Sequence, residues 1–149
     1  MKRILICSDL DRTILPNGKQ PQSSEALEIF KQLVRRPEIT LAYVSGRNEK
    51  LLRAAIDDFG IPIPDYGIGD VGTTIYEPER NWRSWEDWSE EIAKDWQGKS
   101  WDDLRELFED IPTLKLQEND NQNSYKLSYY AEVELDIAAL REELRGRLE

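Results

Sequence analysis

The sequence predicts an α/β fold in which helices pack on a parallel sheet. Apolar, strand-like runs occupy residues 3–8 and 39–44, and each is followed by a segment whose apolar residues have helical spacing. This strand–helix–strand–helix order favours parallel pairing, because each helix returns the chain to the same end of the sheet. The first run is expected to be a buried strand.

The two predicted helices have clear beginnings and ends. Ser23 or Ser24 can cap the first helix, and Pro37 stops it. Gly60 stands in the stop position of the second helix. The apolar faces are Ala26, Leu27, Phe30, Leu33 and Val34 in the first helix, and Leu51, Leu52, Ala55, Ile56 and Phe59 in the second.

The remainder of the chain has a different composition. Residues 65–76 predict a strand, a tight turn and a short returning strand, and all five tryptophans then lie between residues 82 and 101. Ser84 and Ser100 each precede an Asp by three residues, which predicts two consecutive helices. Strand-like runs at 113–116 and 124–130 flank a polar turn, and residues 137–148 form a last amphipathic helix.

Composition limits the partners. Thirty acidic residues against 20 basic ones give a net charge of −10, which disfavours nucleic acid and anionic membranes; a solvated surface explains the excess. No apolar stretch approaches the ~18–20 residues of a membrane span. Cys7 is the single cysteine and is expected to be buried and reduced. These features predict a cytoplasmic protein.

The first strand ends in two carboxylates, Asp9 and Asp11. Ligands of open α/β sheets bind outside the carboxyl ends of the strands, where these side chains lie. Two neighbouring carboxylates can hold Mg²⁺, and Asp9 could attack a phosphoryl group while Asp11 transfers protons. The alternative interpretation is that both residues only begin a loop and cap the next turn. Thr13 could steady this loop by hydrogen bonding.

The second strand ends in Ser45, Gly46 and Arg47. A hydroxyl and backbone N–H groups at the start of a helix can hold an anion. The alternative is an ordinary helix cap with a glycine turn. A cation-binding segment and an anion-binding segment at neighbouring strand ends together predict a phosphoryl-transfer site.

The ordered combination SDLDRTIL, ITLAYVSGR and GDVGTTIY resembles the haloacid-dehalogenase (HAD) superfamily of aspartate-nucleophile phosphatases. Within it, the chain is similar to type IIB members with a large cap, close to sucrose-phosphate phosphatases. The resemblance implies a Rossmann-like HAD core with a parallel sheet at residues 1–80 and an α+β cap at 81–149. It also implies a Mg²⁺-dependent phosphomonoesterase acting on a sugar phosphate through an aspartyl-phosphate.

Residue roles follow from the same resemblance. Asp9 matches the nucleophile and Asp11 matches the acid/base, and both match the metal ligands. Ser45 matches the phosphate-binding hydroxyl of the second motif and is followed by Gly46 and Arg47. In the cap, Lys126 and nearby hydroxyls match a strand facing the sugar. A solvated edge residue explains Lys126 equally simply, and the tryptophan stripe fits either helix packing or sugar stacking.

The chain departs from the HAD pattern after the cap-like region. No sequence fits the motif III Lys or the motif IV acidic pair, so the core is expected to be incomplete at the C-terminus. Three interpretations are open: a piece of a longer protein, a chain complemented by a partner or by self-association, or a shortened inactive relative. The first strand would then expose an apolar edge that invites association.

Two other function classes remain open. A non-catalytic module would bind a phosphorylated sugar or a partner chain without turnover. A phosphoacceptor receiver domain would need an acceptor Asp at the end of a third strand, whereas Asp57 and Asp58 fall in a helical pattern.

Overall fold

A five-stranded sheet organises the first part of the chain. The computed structural model describes residues 3–16 and 23–149. The strands are β1 (Ile4–Ser8), β2 (Ile39–Val44), β3 (Tyr66–Gly69), β4 (Thr74–Glu77) and β5 (Arg83–Ser84), and they lie side by side in that order. Strands β1, β2 and β3 are parallel, and β4 and β5 are antiparallel additions. The predicted parallel core and the returning strand are confirmed.

Two helices, α1 (Ser24–Val34) and α2 (Glu49–Phe59), connect the parallel strands. The Ser23 hydroxyl accepts a hydrogen bond from the Ala26 N–H at 3.2 Å, which caps α1 as predicted. Gly60 ends α2 with φ = 58°, a left-handed conformation that glycine adopts without strain.

One face of the sheet packs on the helices and forms the core. The fully buried members include Leu10 and Leu15, which follow β1 and anchor the loop between them. The core cluster comprises Leu10, Leu15, Leu41, Tyr43, Leu52, Ala55, Ile56, Ile61 and Tyr76. Burial of this apolar surface fixes the strand ends on which the polar residues are carried.

The other face of the sheet, together with the outer edge of β1, is exposed. Ile4 and Leu5 are 51% and 61% exposed, and Cys7 is exposed, so the prediction that residues 3–8 form a buried strand around a buried cysteine is wrong. Within the described ranges β1 pairs only with β2. An apolar run supplies a surface fit for burial, but burial also needs a neighbouring element to cover it.

The second part of the chain contains helices and a hairpin. By compactness the chain divides into units Met1–Glu90 and Glu91–Glu149, and the core–cap boundary predicted after residue 80 stays a prediction. Helix α3 (Glu86–Asp95) contains this division, and α4 is Trp101–Glu106. Ser100 caps α4 in a box with Asp103, as predicted. Ser84 instead pairs in β5 opposite Tyr76, so the capping box predicted there is wrong.

The tryptophan side chains pack within their own units. Trp85 meets Tyr66 edge-on, with ring centroids 5.3 Å apart, and the Trp88 indole N–H donates to the Gly72 carbonyl at 3.0 Å. Trp96 contacts the Tyr125 ring at 5.5 Å. These contacts favour the packing interpretation of the stripe.

The hairpin consists of β6 (Leu114–Leu116) and β7 (Tyr129–Ala131), which are antiparallel. The strand predicted at 124–130 is wrong over its first part, because Asn123 and Lys126 close a tight turn through two backbone hydrogen bonds of 3.2 Å. The Gln122 side chain bonds the backbone N–H and carbonyl of Ser128 and so replaces ladder bonds that a strand would make.

The last element is α5 (Ile137–Leu148), as predicted. Its Arg147 guanidinium donates to the Leu107 carbonyl at 2.8 Å and pairs with Asp110. Among the described helices, none combines the length and the apolar character that crossing a membrane requires.

Candidate active site

The carboxyl ends of β1 and β2 lie at the same edge of the sheet. Ser8 is registered opposite Tyr43 in the parallel pair, so the residues following each strand emerge side by side. Neighbouring strands are ~4.8 Å apart, which brings the Asp9 and Ser45 segments within the span of a phosphate group. Both predicted motifs therefore share one edge of the sheet.

Asp9 is exposed immediately after β1. Its Oδ1 accepts a 2.7 Å hydrogen bond from the Leu10 N–H, and its carbonyl accepts one from the Ser8 hydroxyl at 2.9 Å. Because Leu10 is fully buried, the chain is fixed at this point while the preceding carboxylate stays at the surface. An exposed and oriented carboxylate is available for nucleophilic attack.

The loop after Leu10 is a compact hydrogen-bonded turn. The Leu10 carbonyl accepts bonds from the N–H groups of Thr13, Ile14 and Leu15 at 3.2, 3.0 and 2.8 Å. Arg12 adopts φ = 63° and donates its N–H to the Leu15 carbonyl at 2.9 Å. Thr13 is exposed and contributes to the loop through its backbone N–H. The turn holds Asp11 in place between two buried leucines.

Asp11 forms a two-point ion pair with Arg47. The guanidinium Nη2 donates to Oδ1 at 2.7 Å and Nε donates to Oδ2 at 3.0 Å. The side chains are only 37% and 26% exposed, and the hydrogen bond to Asp11 raises the pKa of Arg47. The sequence placed both residues at the site, but it did not predict that they pair with each other.

Ser45 does not cap the helix that follows it. The Asn48 side chain caps α2 by accepting from the Leu51 N–H at 3.0 Å, so the helix-cap interpretation of Ser45 is wrong. Ser45 is 7% exposed, donates its N–H to the Ile68 carbonyl at 2.9 Å and accepts the Arg47 N–H on its hydroxyl at 3.3 Å. Its hydroxyl is thus oriented at the strand end, beside the exposed Gly46.

Asp70 and Tyr76 are two further residues at this edge that sequence reasoning did not single out. Asp70 is 3% exposed, and its Oδ2 accepts the Tyr76 hydroxyl at 2.6 Å. Burial and this bond raise the pKa of Tyr76, which keeps the hydroxyl protonated as a donor. The Asp70 N–H donates to the Arg47 carbonyl at 2.9 Å. An Asp directly after a glycine-rich strand was the only local signal.

The same burial bears on the receiver-domain alternative. Asp70 does follow the third strand, where a phosphoacceptor would stand. Its carboxylate is enclosed and bonded to Tyr76, so it is not accessible to a phosphodonor. Asp57 and Asp58 lie within α2, away from any strand end.

The donor set at the edge suits Mg²⁺. This ion usually takes one or two protein carboxylates and completes its shell with water and substrate phosphate, and Asp9 and Asp11 supply two carboxylates on either side of Leu10. In the part of the chain that the structure describes, no group of three or more His, Cys, Asp or Glu could hold a metal ion. Asp9 and Asp11 are the residues that would hold the ion.

Lys126 belongs to the second unit. It is half-buried in the turn that closes at Asn123, and not on a strand. The predicted assignment to a cap strand is therefore wrong, while its role in substrate binding stays a prediction.

Several known proteins resemble the chain along almost its whole length. A HAD-like hydrolase of Nitrosococcus oceani is 53% identical over 149 residues, which are 99% of this chain and 40% of that protein. The structure of the sucrose-phosphatase of Synechocystis sp. PCC6803, in complex with sucrose and phosphate, is 27% identical with a TM-score of 0.79. That match covers 99% of this chain and 57% of the other.

A HAD-like hydrolase of Bacillus subtilis, 16% identical with a TM-score of 0.61, shows the same fold over 97% of this chain and 55% of that one. The chain thus spans between two fifths and three fifths of the length of these relatives. The family model of sucrose-6F-phosphate phosphohydrolase matches residues 2–149. The chain therefore belongs to the sucrose-6F-phosphate phosphohydrolase family, with its HAD-like α/β fold.

Proposed function

We propose that this chain carries the nucleophile half of a Mg²⁺-dependent phosphatase site that acts on a sugar phosphate such as sucrose 6F-phosphate. The observation that carries the proposal is the exposed Asp9 carboxylate at the end of β1, next to the Asp11–Arg47 ion pair. Membership of the sucrose-6F-phosphate phosphohydrolase family supports the substrate class.

In the proposed reaction Asp9 attacks the phosphorus in line with the leaving sugar oxygen and forms an aspartyl-phosphate. Once Arg47 has moved from Asp11 to the phosphate, the Asp11 carboxylate takes up a proton from solvent, gives it to the leaving oxygen and later takes one from the hydrolytic water. Mg²⁺ held by Asp9 and Asp11 would supply charge screening between the carboxylate and the phosphate. The Ser45 hydroxyl, the Gly46 N–H group and the Arg47 guanidinium bind phosphate oxygens.

Arg47 has a second place in this scheme. Its guanidinium neutralises Asp11 in the free chain, and an incoming phosphate offers it another pair of oxygens. Transfer of the guanidinium to the phosphate would stabilise the substrate and release the Asp11 carboxyl for proton transfer. Thr13 supports the loop that carries Asp11, and Lys126 binds the sugar part of the substrate.

The test is phosphate release from sucrose 6F-phosphate with Mg²⁺, comparing the wild type with Asp9→Asn. Asp58→Asn is the matched control, because Asp58 is an exposed Asp on α2. We expect Asp9→Asn to abolish turnover and Asp58→Asn to retain it. Mass spectrometry of the tryptic peptide of residues 4–12 should show a phosphoryl adduct in the wild type and in Asp58→Asn, but not in Asp9→Asn. Full activity of Asp9→Asn would refute the mechanism.

A second candidate is binding without turnover by the chain on its own. Its support is the Arg47 guanidinium, which binds both oxygens of Asp11 and can bind two oxygens of a phosphate in the same way. Calorimetric titration with sucrose 6F-phosphate and Mg²⁺ separates the two. Saturable binding lost in Arg47→Gln, without phosphate release by the wild type, would favour the binding module.

We also propose that a second copy of this chain covers the exposed edge of β1. Leu5, Cys7, Ala42, Ile68 and Trp85 help line an apolar hollow of about 400 Å³ on the uncovered sheet face. In the part of the chain that the structure describes, only β2 pairs with β1, and an apolar edge without a second neighbouring strand favours association.

A further inference from the structure

We propose that Tyr76 and Asp70 are positioning residues of the candidate active site. They hold the backbone of Arg47 so that its guanidinium meets Asp11. The inference rests on the proposed function, which it deepens by naming what places Arg47. Three consecutive contacts carry it: Tyr76 to Asp70, Asp70 to Arg47, and Arg47 to Asp11.

The first contact is short and buried. The Tyr76 hydroxyl donates to the Asp70 carboxylate at 2.6 Å, and the two residues are 9% and 3% exposed. A hydrogen bond to a charged acceptor is stronger than a neutral one, and exclusion of water strengthens it further. This pair therefore fixes the end of β3 against β4.

The second contact passes from β3 to the Arg47 main chain. The Asp70 N–H donates to the Arg47 carbonyl at 2.9 Å. A side chain on Gly69 would place its Cβ only 2.7 Å from the same carbonyl oxygen, so the two backbones are in direct contact here. Any displacement of the Asp70 turn must therefore displace Arg47.

The turn itself is strained and needs restraint. Asp70 and Val71 have φ values of 53° and 61°, in the left-handed region that non-glycine residues, and β-branched ones above all, rarely adopt. Such conformations persist only where surrounding contacts enforce them. The Thr73 hydroxyl bond to the Asp70 carbonyl, 2.9 Å, is local, whereas Tyr76 ties the turn to a neighbouring strand.

The experiment follows the Arg47 Nε–H signal by ¹⁵N NMR in the whole chain, with the signal assigned by its loss in Arg47→Lys. In Tyr76→Phe we expect the hydrogen exchange of this group with water to become about fivefold faster, as for the loss of about one net hydrogen bond. Tyr43→Phe is the matched control, because Tyr43 is fully buried and its hydroxyl donates to the Pro62 carbonyl at 2.9 Å, on the amino-terminal side of β3.

A second variant keeps the test decisive if Tyr76→Phe does not fold. Asp70→Asn has the same shape and retains an acceptor oxygen without the charge, so we expect an exchange rate between wild type and Tyr76→Phe. Exchange in the folded variants that equals the Tyr43→Phe value would overturn the proposal. The signal reports positioning whether or not the chain turns over substrate, so a failed phosphatase assay is a separate result.

Discussion

The ion pair between Asp11 and Arg47 gives the sharpest quantitative prediction. We would replace Asp11 by Asn and Arg47 by Gln, singly and together, and measure the free energy of unfolding of each variant. The coupling energy of this double-mutant cycle isolates the interaction between the two side chains. The two-point geometry predicts a coupling energy clearly larger than that of an ordinary surface pair.

The geometry sets the magnitude. Two charge-assisted hydrogen bonds of 2.7 and 3.0 Å would each contribute about 1.5–3 kcal/mol if they were enclosed. The side chains of Asp11 and Arg47 are 37% and 26% exposed, and solvent screening therefore lowers the expected coupling energy of the pair to about 1.5 kcal/mol.

The chain contains a matched control in Glu49 and Arg53. This pair lies on the surface of α2 with one bond of 3.0 Å, and its side chains are 40% and 51% exposed. Its coupling should be about 0.3–0.5 kcal/mol. The assay is urea unfolding at low and at high salt, monitored by circular dichroism. Equal coupling energies for the two pairs would refute the two-point geometry at Asp11.

Three other outcomes follow from the structure. Because burial raises the pKa of Tyr43 and Tyr76, the folded state holds their protons more tightly than the unfolded state does. The stability of the wild type should therefore be constant up to about pH 10 and fall above it. Urea unfolding midpoints should fall less steeply with pH in the double variant Tyr43→Phe, Tyr76→Phe than in the wild type. Gly69→Ala should cost about 1–3 kcal/mol in urea unfolding, since its Cβ would lie 2.7 Å from a backbone oxygen; an unchanged midpoint would contradict the close approach. In sedimentation experiments the wild type should self-associate as its concentration rises, and this association should slow the alkylation of Cys7. The variant Leu5→Glu should stay monomeric. A wild type that is monomeric at every concentration would argue against the covered edge.

Much of the first unit could be predicted from local sequence. The apolar periodicities of β1, β2, α1 and α2, the cap at Ser23 and the stop at Gly60 depend on residues close in the chain, and the structure confirms them. The hairpin was predicted less well. Gln122 replaces ladder bonds through its side chain, and propensity alone does not show such a substitution.

Burial was the other weak point. Residues 3–8 are apolar enough for a central strand, yet Ile4, Leu5 and Cys7 are exposed because nothing described covers them. Whether a strand is central or at an edge depends on its neighbours, which lie far away in the sequence. Ser45 shows the same limit, since Asn48 and not Ser45 caps α2.

The sequence by itself determined the α/β order and the residue types at the two strand ends, with Asp9 and Asp11 after one strand and Ser45, Gly46 and Arg47 after the next. These are local properties, set by strand length and by where the apolar runs stop. Only the tertiary structure decided that the Arg47 guanidinium pairs with Asp11, and that the Tyr76 hydroxyl binds the Asp70 carboxylate next to Arg47. The physical reason is that these contacts join four neighbouring strand segments: parallel pairing brings the ends of β1, β2 and β3 together, and antiparallel pairing places Tyr76 of β4 beside β3.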